Sequence, residues 1–269
     1  MIVTFELFFV GEATPRLWRR GNAANDTLIG GDGRDTLQGN AGDDILDGKQ
    51  GADQLWGGTG NDLYIVDSQA DVIVEFANQG YDVVFSSADF DMQGASVEEV
   101  QLIGTAQKAT GGNFADKLIG NDHDNTLLGN WGRDTLIGGL GNDTLNGGGD
   151  FDTLTGGLGA DTFALERPLH NHRIYRSVDT ITDFTSGEDK LLLNIRVPLS
   201  FATVETDSLA SLAKESVVYS LGSGTLFYNP NGEAAGFNLL SGRFPNRFVE
   251  WGGAIAVLSE APEASDIIS

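Results

Sequence analysis

Apolar residues return every nine positions in two stretches of the chain, and each follows an acidic residue and a group of glycines. In residues 21–65 the frame includes GGDGRDTLQ, GNAGDDILD and GKQGADQLW, and in residues 111–164 it includes GNWGRDTLI and GGLGNDTLN. The first six residues of each unit predict a tight turn, because glycine adopts positive φ at little steric cost. The last three predict a very short strand whose middle residue faces inward.

Two nonapeptides complete a circuit of eighteen residues, with a strand on each side. Stacked circuits place Leu28, Leu46 and Tyr64 on one inner face, opposite Leu37 and Leu55. The strands of neighbouring circuits then run parallel and bury one shared core. The periodicity therefore predicts an all-β fold, a right-handed parallel β-roll, which is a β-solenoid of nonapeptide repeats.

The stretch between the two repeat blocks loses the nine-residue frame but keeps short β-branched runs such as DVIVEF and YDVVFSS. These runs predict longer, irregular turns of the same solenoid. Beyond about residue 165 glycine becomes rarer, and DTITDF and DKLLLNI predict the strands of a β-rich C-terminal cap.

The apolar start of the chain, MIVTFELFFV, is too short to span a bilayer. Its basic residues follow the apolar run, whereas a secretory signal carries them first. We therefore expect an N-terminal cap here. The predicted organisation is an N-terminal cap at 1–20, a β-roll at 21–164 with nonapeptide blocks 21–65 and 111–164 and irregular turns 66–110, and a C-terminal cap at 165–269.

The chain is strongly acidic, with a formal net charge of −23 over 269 residues. This charge makes nucleic acids and anionic membranes poor partners, and no membrane insertion is expected. The two repeat blocks hold 16 acidic and 4 basic residues, so much of the acidity belongs to the repeats. There are no cysteines, which excludes disulfide bonds, thiolate metal sites and a cysteine nucleophile.

Acidic residues eighteen positions apart are expected to stack roughly 5 Å apart, at the spacing of parallel strands. This pairs Asp26 with Asp44, Asp44 with Asp62, and Asp35 with Asp53. Unit charges at that distance repel by roughly 3 kcal/mol at an effective dielectric of about 20. Several such pairs need a cation, and a hard dication that accepts about 6–8 oxygen ligands fits, which favours calcium over magnesium. The predicted ligands are Asp26, Asp35, Asp44, Asp53, Asp62, Asp116, Asp134, Asp143, Asp152 and Asp161, holding several Ca²⁺ ions.

Two departures limit this assignment. Asn125 stands where the frame calls for an aspartate, which weakens a site shared with Asp143. Asp82 lies twenty residues after Asp62 rather than eighteen, so no ligand is assigned within residues 66–110.

The repeat resembles the nonapeptide G-G-x-G-x-D-x-U-x of the RTX (repeats-in-toxin, haemolysin-type calcium-binding) family. SVDTITDFTSGEDKLLL and GTLFYNPNGEAAGF also resemble segments of secreted RTX proteins. The terminal SDIIS resembles the uncleaved C-terminal signal that type I secretion systems read. The resemblance implies calcium as the ion, an extracellular location, and a type I ABC exporter as a partner during secretion.

Motifs of common catalytic sites are absent from the sequence, including G-x-S-x-G and H-E-x-x-H. We therefore expect a secreted, non-enzymatic protein with a binding or structural role, in which calcium held between stacked turns drives folding. The alternative is a calcium-dependent accessory or secretion module of an extracellular enzyme, such as a protease, a lipase or a polysaccharide epimerase. Apolar outer positions such as Ile119 and Ile137 leave open cover by the C-terminal region, an oligomer contact or association with a cell surface.

Overall fold

A computed structural model describes most of the two repeat blocks and parts of the flanking regions. The described residues are 3–7, 16–92, 94–165, 169–170, 173–174, 178–193, 201–204, 217–220, 224–228 and 253–268. The fold is a parallel β-solenoid, as the nonapeptide pattern predicts. Strands eighteen residues apart pair in parallel register, so that Leu46 lies between Leu28 and Tyr64.

The solenoid consists of short strands separated by turns. In chain order the strands are β1 (Val3–Leu7), β2 (Arg16–Arg20), β3 (Thr27–Ile29), β4 (Thr36–Ala41), β5 (Ile45–Asp47), β6 (Gln54–Thr59), β7 (Leu63–Val66), β8 (Val72–Ile73), β9 (Val83–Ser86), β10 (Phe90–Asp91), β11 (Glu99–Leu102), β12 (Lys108–Thr110), β13 (Lys117–Ile119), β14 (Thr126–Leu128), β15 (Thr135–Leu140), β16 (Thr144–Asn146), β17 (Thr153–Leu158), β18 (Thr162–Leu165), β19 (Leu169–His170), β20 (Arg173–Ile174), β21 (Asp179–Ile181), β22 (Lys190–Leu193), β23 (Phe201–Val204), β24 (Val217–Ser220), β25 (Thr225–Tyr228), β26 (Gly253–Leu258) and β27 (Ile267–Ile268).

The strands form the two faces of the solenoid. One face is a single thirteen-stranded sheet in the order β23-β24-β25-β26-β21-β17-β15-β13-β11-β9-β7-β5-β3. The other face is divided into a five-stranded sheet, β1-β2-β4-β6-β8, and a seven-stranded sheet, β10-β12-β14-β16-β18-β22-β27. The second face is therefore interrupted between β8 and β10, inside the irregular segment.

The core is a double ladder formed by the middle residue of each short strand. Because alternate side chains of a strand point to opposite faces, this residue is buried in most of the three-residue strands while its two neighbours face outward. The rungs are fully buried, and each buried leucine contributes roughly 1.5–3 kcal/mol relative to an exposed one. They are Leu28, Leu37, Leu46, Leu55, Tyr64, Leu118, Leu127, Leu136, Leu145, Leu154 and Phe163.

Successive turns approach so closely that some positions accept only glycine. Gly58 has a φ of +107°, and a Cβ there would lie 2.1 Å from the carbonyl oxygen of Asn40, one turn away. Gly132 has a φ of +138°, and its Cβ would lie 1.9 Å from the carbonyl oxygen of Phe114. The glycines of the repeat therefore serve the stacking of turns as well as their tight bends.

The irregular segment contains one turn that is two residues longer than eighteen and one that is two residues shorter. Leu63 pairs with Val83, a step of twenty residues, and Val83 pairs with Glu99, a step of sixteen. Glu99 then pairs with Lys117 at the regular eighteen. The two changes cancel, which is why the repeat frame resumes at residue 111.

Both faces continue beyond the second repeat block. Leu154 pairs with Ile181, and Phe163 pairs with Leu191. Leu191 pairs in turn with Ile267, next to the short 3₁₀-helix η1 (Ala264–Asp266). Across the described ranges, no helix is long and apolar enough to cross a membrane.

Candidate metal centre

The predicted aspartates stack in two columns, one ahead of the strands of each face. Each column is held by hydrogen bonds between turns: the backbone N–H of Asp26 donates to Asp44 Oδ1, and that of Asp44 donates to Asp62 Oδ1, both at 2.7 Å. All six pairs expected from the eighteen-residue spacing make this bond. We call Asp26, Asp44, Asp62, Asp116, Asp134 and Asp152 the first column, and Asp35, Asp53, Asp143 and Asp161 the second column.

These bonds change the electrostatic picture that the spacing suggests. The sequence argument treats stacked carboxylates as groups that only repel one another. In the structure Oδ1 of eight of the ten carboxylates, all except Asp26 and Asp116, accepts a backbone N–H of the adjacent turn in a charge-assisted hydrogen bond. The oxygen to consider as a cation ligand is therefore the second one, Oδ2.

The columns contain further acidic residues that the sequence reasoning missed. Asp53 N–H donates to Asp71 Oδ1, Asp62 N–H to Asp82 Oδ1, and Asp82 N–H to Glu98 Oε2. Asp71 follows Asp53 by the regular eighteen residues, so its spacing was a usable signal. Asp82 and Glu98 were hidden by the shifted frame of the irregular segment.

Two more aspartates extend the columns toward the C-terminus. Asp152 N–H donates to Asp179 Oδ1 at 3.2 Å, and Asp161 N–H donates to Asp189 Oδ1 at 2.9 Å. They lie 27 and 28 residues beyond their partners, so a search at the repeat spacing does not find them. Each precedes an apolar strand, in DTI and DKL, which is the local signal of the repeat.

Six of the ten predicted ligands have a buried carboxylate oxygen without a hydrogen-bond donor. Burying a charged oxygen without a partner is costly, so each of these atoms indicates a missing positive or donor group. In every case the atom is Oδ2. The six residues are Asp44, Asp53, Asp62, Asp134, Asp143 and Asp152.

Three of the unpaired oxygens, on Asp44, Asp134 and Asp143, lie close to backbone carbonyls of the glycine turns. A Cβ on Gly39 would lie 2.1 Å from Asp44 Oδ2 and 2.7 Å from the carbonyl oxygen of Gly57. The same arrangement occurs at Gly129. A Cβ there would lie 2.4 Å from Asp134 Oδ2 and 2.5 Å from a glycine carbonyl oxygen of the next turn. Two acceptor oxygens that converge on one point, without a donor, fit an oxygen-binding cation. Carboxylate and carbonyl oxygens are the ligands that calcium prefers, so the residues present fit that ion.

In three of the remaining aspartates Oδ2 has a hydrogen-bond donor. Asp26, Asp35 and Asp116 each accept a hydrogen bond at Oδ2, at 2.7 Å, from the backbone N–H four residues earlier. They belong to the first turns of the two blocks and close those turns from within. Asp161 Oδ1 accepts a hydrogen bond from the backbone N–H of Asp143 at 2.8 Å.

Asn125 shows how the second column is completed without a charge. Its Oδ1 accepts the N–H of Asn121 at 2.7 Å, and its Nδ2 donates to the carbonyl oxygen of Ala106 at 3.2 Å. The amide therefore supplies the donor that a carboxylate lacks. The weakening of a site shared by Asn125 and Asp143 stays a prediction.

The columns raise the pKa values of their carboxyl groups. Burial, together with neighbouring carboxylates, raises the pKa of Asp53 and of Asp134 to about 7, although a backbone hydrogen bond acts to lower it. Burial likewise raises the pKa of Asp44 and of Asp143 to about 6. Within the described part of the chain, the three salt bridges are Lys49–Asp47, Lys117–Glu99 and Lys190–Asp266, so no basic side chain neutralises a predicted ligand.

Comparison with known proteins gives a matching family model and solved structures with a similar fold. The family model of the RTX calcium-binding nonapeptide repeat matches in four copies, at residues 20–55, 44–73, 110–145 and 137–166. The crystal structure of the extracellular lipase LipA from Serratia marcescens aligns with 19% sequence identity and a TM-score of 0.30. The alignment covers 93% of this chain but only 39% of the lipase chain. No curated protein matches.

Proposed function

Residues 20–73 and 110–166 of this chain are RTX calcium-binding nonapeptide repeats, and on that premise we propose that it is a secreted, non-enzymatic protein whose β-roll folds when calcium binds between its turns. The observation that carries the proposal is the buried, unpaired Oδ2 of six aspartates. At Asp44, Asp134 and Asp143 a glycine carbonyl oxygen lies close to it. Calcium supplies the positive charge that the chain lacks at these points. The proposed organisation is an N-terminal cap at 1–20, a β-roll at 21–164 and a C-terminal cap at 165–269.

The aspartates divide into two groups under this proposal. The six with an unpaired Oδ2 bind calcium, together with glycine carbonyl oxygens. Asp26, Asp35 and Asp116 close the first turns of their blocks, and Asp161 remains a ligand on the strength of its spacing. The repetition of near-identical sites supports a binding role, because general acid–base catalysis uses carboxyl groups whose surroundings differ.

Export completes the proposed function. The type I exporter is proposed from the resemblance of the C-terminal segments, and the extracellular location from the family of the repeats. A chain that is unfolded at low cytosolic calcium passes an exporter that handles unfolded chains. The high calcium outside then fills the sites and folds the roll as it emerges.

The proposal is tested by two substitutions on neighbouring rungs of the first column, Asp134→Asn and Asp116→Asn. Each removes one charge and keeps the shape. Asp134→Asn is expected to lower the number of bound calcium ions, because the new amide replaces the charged Oδ2 that faces a carbonyl oxygen. Asp116→Asn is expected to leave the stoichiometry unchanged, because this carboxylate is already satisfied by the N–H of Gly112.

Calcium titration calorimetry of the whole chain measures both outcomes. Asn125 is the internal precedent that an asparagine fits a rung of a column. Equal loss of calcium in the two variants, or no loss in either, contradicts the assignment of Oδ2 as the ligand. Absence of calcium binding by the unsubstituted chain contradicts the proposed function as a whole.

A further inference from the structure

Three buried carboxylates meet at the point where the solenoid changes its step. Asp62, Glu75 and Asp82 each offer an oxygen, and these oxygens all lie within 4.8 Å of one another. The three side chains are only 1%, 3% and 1% exposed. Calcium–oxygen distances of about 2.3–2.6 Å place ligands of one ion up to about 5 Å apart, so one ion reaches all three.

Glu75 lies outside the repeat and is held in the core by Tyr64. Tyr64 occupies a rung that is leucine in most other repeats, and its hydroxyl donates to Glu75 Oε2. The same hydroxyl accepts the N–H of Gly57 at 2.9 Å. The N–H of Phe76 donates to Glu75 Oε1 at 3.3 Å. A core tyrosine therefore has a specific purpose here, which is to fix a carboxylate beside the first column.

The other two carboxylates present unpaired oxygens. Oδ2 of Asp62 and Oδ2 of Asp82 are buried and have no hydrogen-bond donor, while the Oδ1 atoms accept N–H bonds from the preceding turn. Asp62 Oδ2 and the Tyr64 hydroxyl both lie 2.2 Å from the place where a Cβ on Gly57 would stand, so this acid and the phenol that holds Glu75 are close neighbours. In the described residues no basic side chain pairs with any of the three acids.

We propose that Asp62, Glu75 and Asp82 bind one calcium ion through three carboxylates, at a site distinct in composition from those of the repeats. A repeat site combines one unpaired aspartate oxygen with carbonyl oxygens. This site carries three formal negative charges, and calcium affinity rises with the number of charged ligands. It is therefore the tightest site of the roll and the first to fill. The inference rests on the proposed function in one respect, since Asp62 also belongs to the first column.

The position of the site gives the ion a second task. The step from Asp62 to Asp82 is the twenty-residue step of the solenoid, and the second face is interrupted just beyond, between β8 and β10. β8 and β10 belong to different sheets and do not pair with each other. An ion that joins three acids from this region binds the shifted turn to the regular ones.

The test compares Glu75→Gln with Glu99→Gln in the full chain. Glu99 belongs to the same irregular segment and forms a surface ion pair with Lys117 outside the cluster, so its substitution matches the change of charge. In calcium titration calorimetry, Glu75→Gln is expected to remove the tightest binding event and leave the weaker ones. Glu99→Gln is expected to keep the tightest event. If Glu75→Gln retains the tightest calcium-binding event unchanged, the three carboxylates do not form a calcium site and the proposal is overturned.

If Glu75→Gln does not fold, Tyr64→Leu provides a second test of the proposed site. Leucine is the residue of most equivalent rungs, so the core accepts it, but the phenol that positions Glu75 is lost. The tightest affinity is expected to fall by about 10–100-fold with the stoichiometry unchanged, as when a group that orients a metal ligand is removed. Unaltered tight binding in Tyr64→Leu contradicts the positioning role.

Terbium luminescence provides an independent measurement of ion binding at the same site. Tb³⁺ binds calcium-type oxygen sites and emits when a neighbouring excited phenol transfers energy to it. The first equivalent of Tb³⁺ is expected to show stronger sensitised emission in the unsubstituted chain and in Glu99→Gln than in Tyr64→Leu. Equal emission in all three overturns the inference. If Asp134→Asn still loses an ion in that case, the proposed function stands without the additional site.

Discussion

Removal of calcium by a chelator is expected to unfold the roll. Each stacked pair of unpaired, ionised carboxylates adds roughly 3 kcal/mol of repulsion at an effective dielectric of about 20. Net stabilities of domains are about 5–15 kcal/mol, so the repulsion of a few uncompensated pairs is as large as the net stability of a domain. The ligands come together only in the folded roll, and calcium binding therefore contributes directly to the free energy of folding.

Circular dichroism of the whole chain measures this effect. In chelator we expect a largely unfolded spectrum, and titration with calcium to about 0.1–1 mM, the range of extracellular modules, is expected to restore the β signal. Magnesium at the same concentration is the matched control, and it is expected to restore little because it requires octahedral geometry and retains its water. Identical spectra with and without chelator would falsify calcium-driven folding.

Replacement of Asp266 by alanine is the second change with a large expected effect. Asp266 is fully buried at the end of the second face and accepts hydrogen bonds from three parts of the cap. Lys190 Nζ donates to its Oδ1 at 3.0 Å, Ser186 Oγ donates to Oδ2 at 2.9 Å, and the N–H of Glu263 donates to Oδ2 at 2.8 Å. Burial opposes the charge, but these bonds outweigh it and lower the pKa of the Asp266 carboxyl below its ordinary value.

A hydrogen bond to a charged group contributes roughly 1.5–3 kcal/mol, and Asp266→Ala removes several at once. We expect the calcium-loaded chain to lose about 3 kcal/mol of unfolding free energy, measured by urea denaturation at saturating calcium. Ser265→Ala changes the exposed neighbouring residue and is expected to have little effect. If both variants unfold at the same urea concentration as the unsubstituted chain, Asp266 does not hold the cap.

Asp266 also changes the interpretation of the C-terminal SDIIS. The sequence suggested a type I export signal for this segment, and that role stays a prediction. The structure adds a structural role, because Ile267 and Ile268 form β27 and pair with β22. Export of Asp266→Ala by a co-expressed type I exporter separates the two, since a signal acts on the unfolded chain and a cap only on the folded one.

Much of the fold could be predicted because its period is short and strict. A leucine such as Leu46 in the middle of a three-residue strand between glycine turns has only one inward position. The eighteen-residue stacking of Asp26, Asp44 and Asp62 follows from the same period, and the hydrogen bonds of the first column confirm it. Periodicity states which residues are equivalent, and therefore which residues stack.

The rest depends on differences between residues that periodicity treats as equal. Asp116 and Asp134 have the same place in the frame, yet only Asp134 has an unpaired oxygen, because the N–H of Gly112 reaches Asp116. Asp82 lies outside the frame by two residues and still joins the column. Glu75 belongs to no repeat, and only the three-dimensional structure brings it beside Asp62.

The most direct measurement of the central claim is the location of calcium in crystals of the whole chain grown with calcium. Anomalous scattering at long wavelength distinguishes calcium from water at each position. We predict anomalous peaks beside the Oδ2 atoms of Asp44, Asp53, Asp62, Asp134, Asp143 and Asp152, and none beside Oδ2 of Asp26, Asp35 or Asp116. Crystals in saturating calcium whose six unpaired oxygens contact only water would contradict the account.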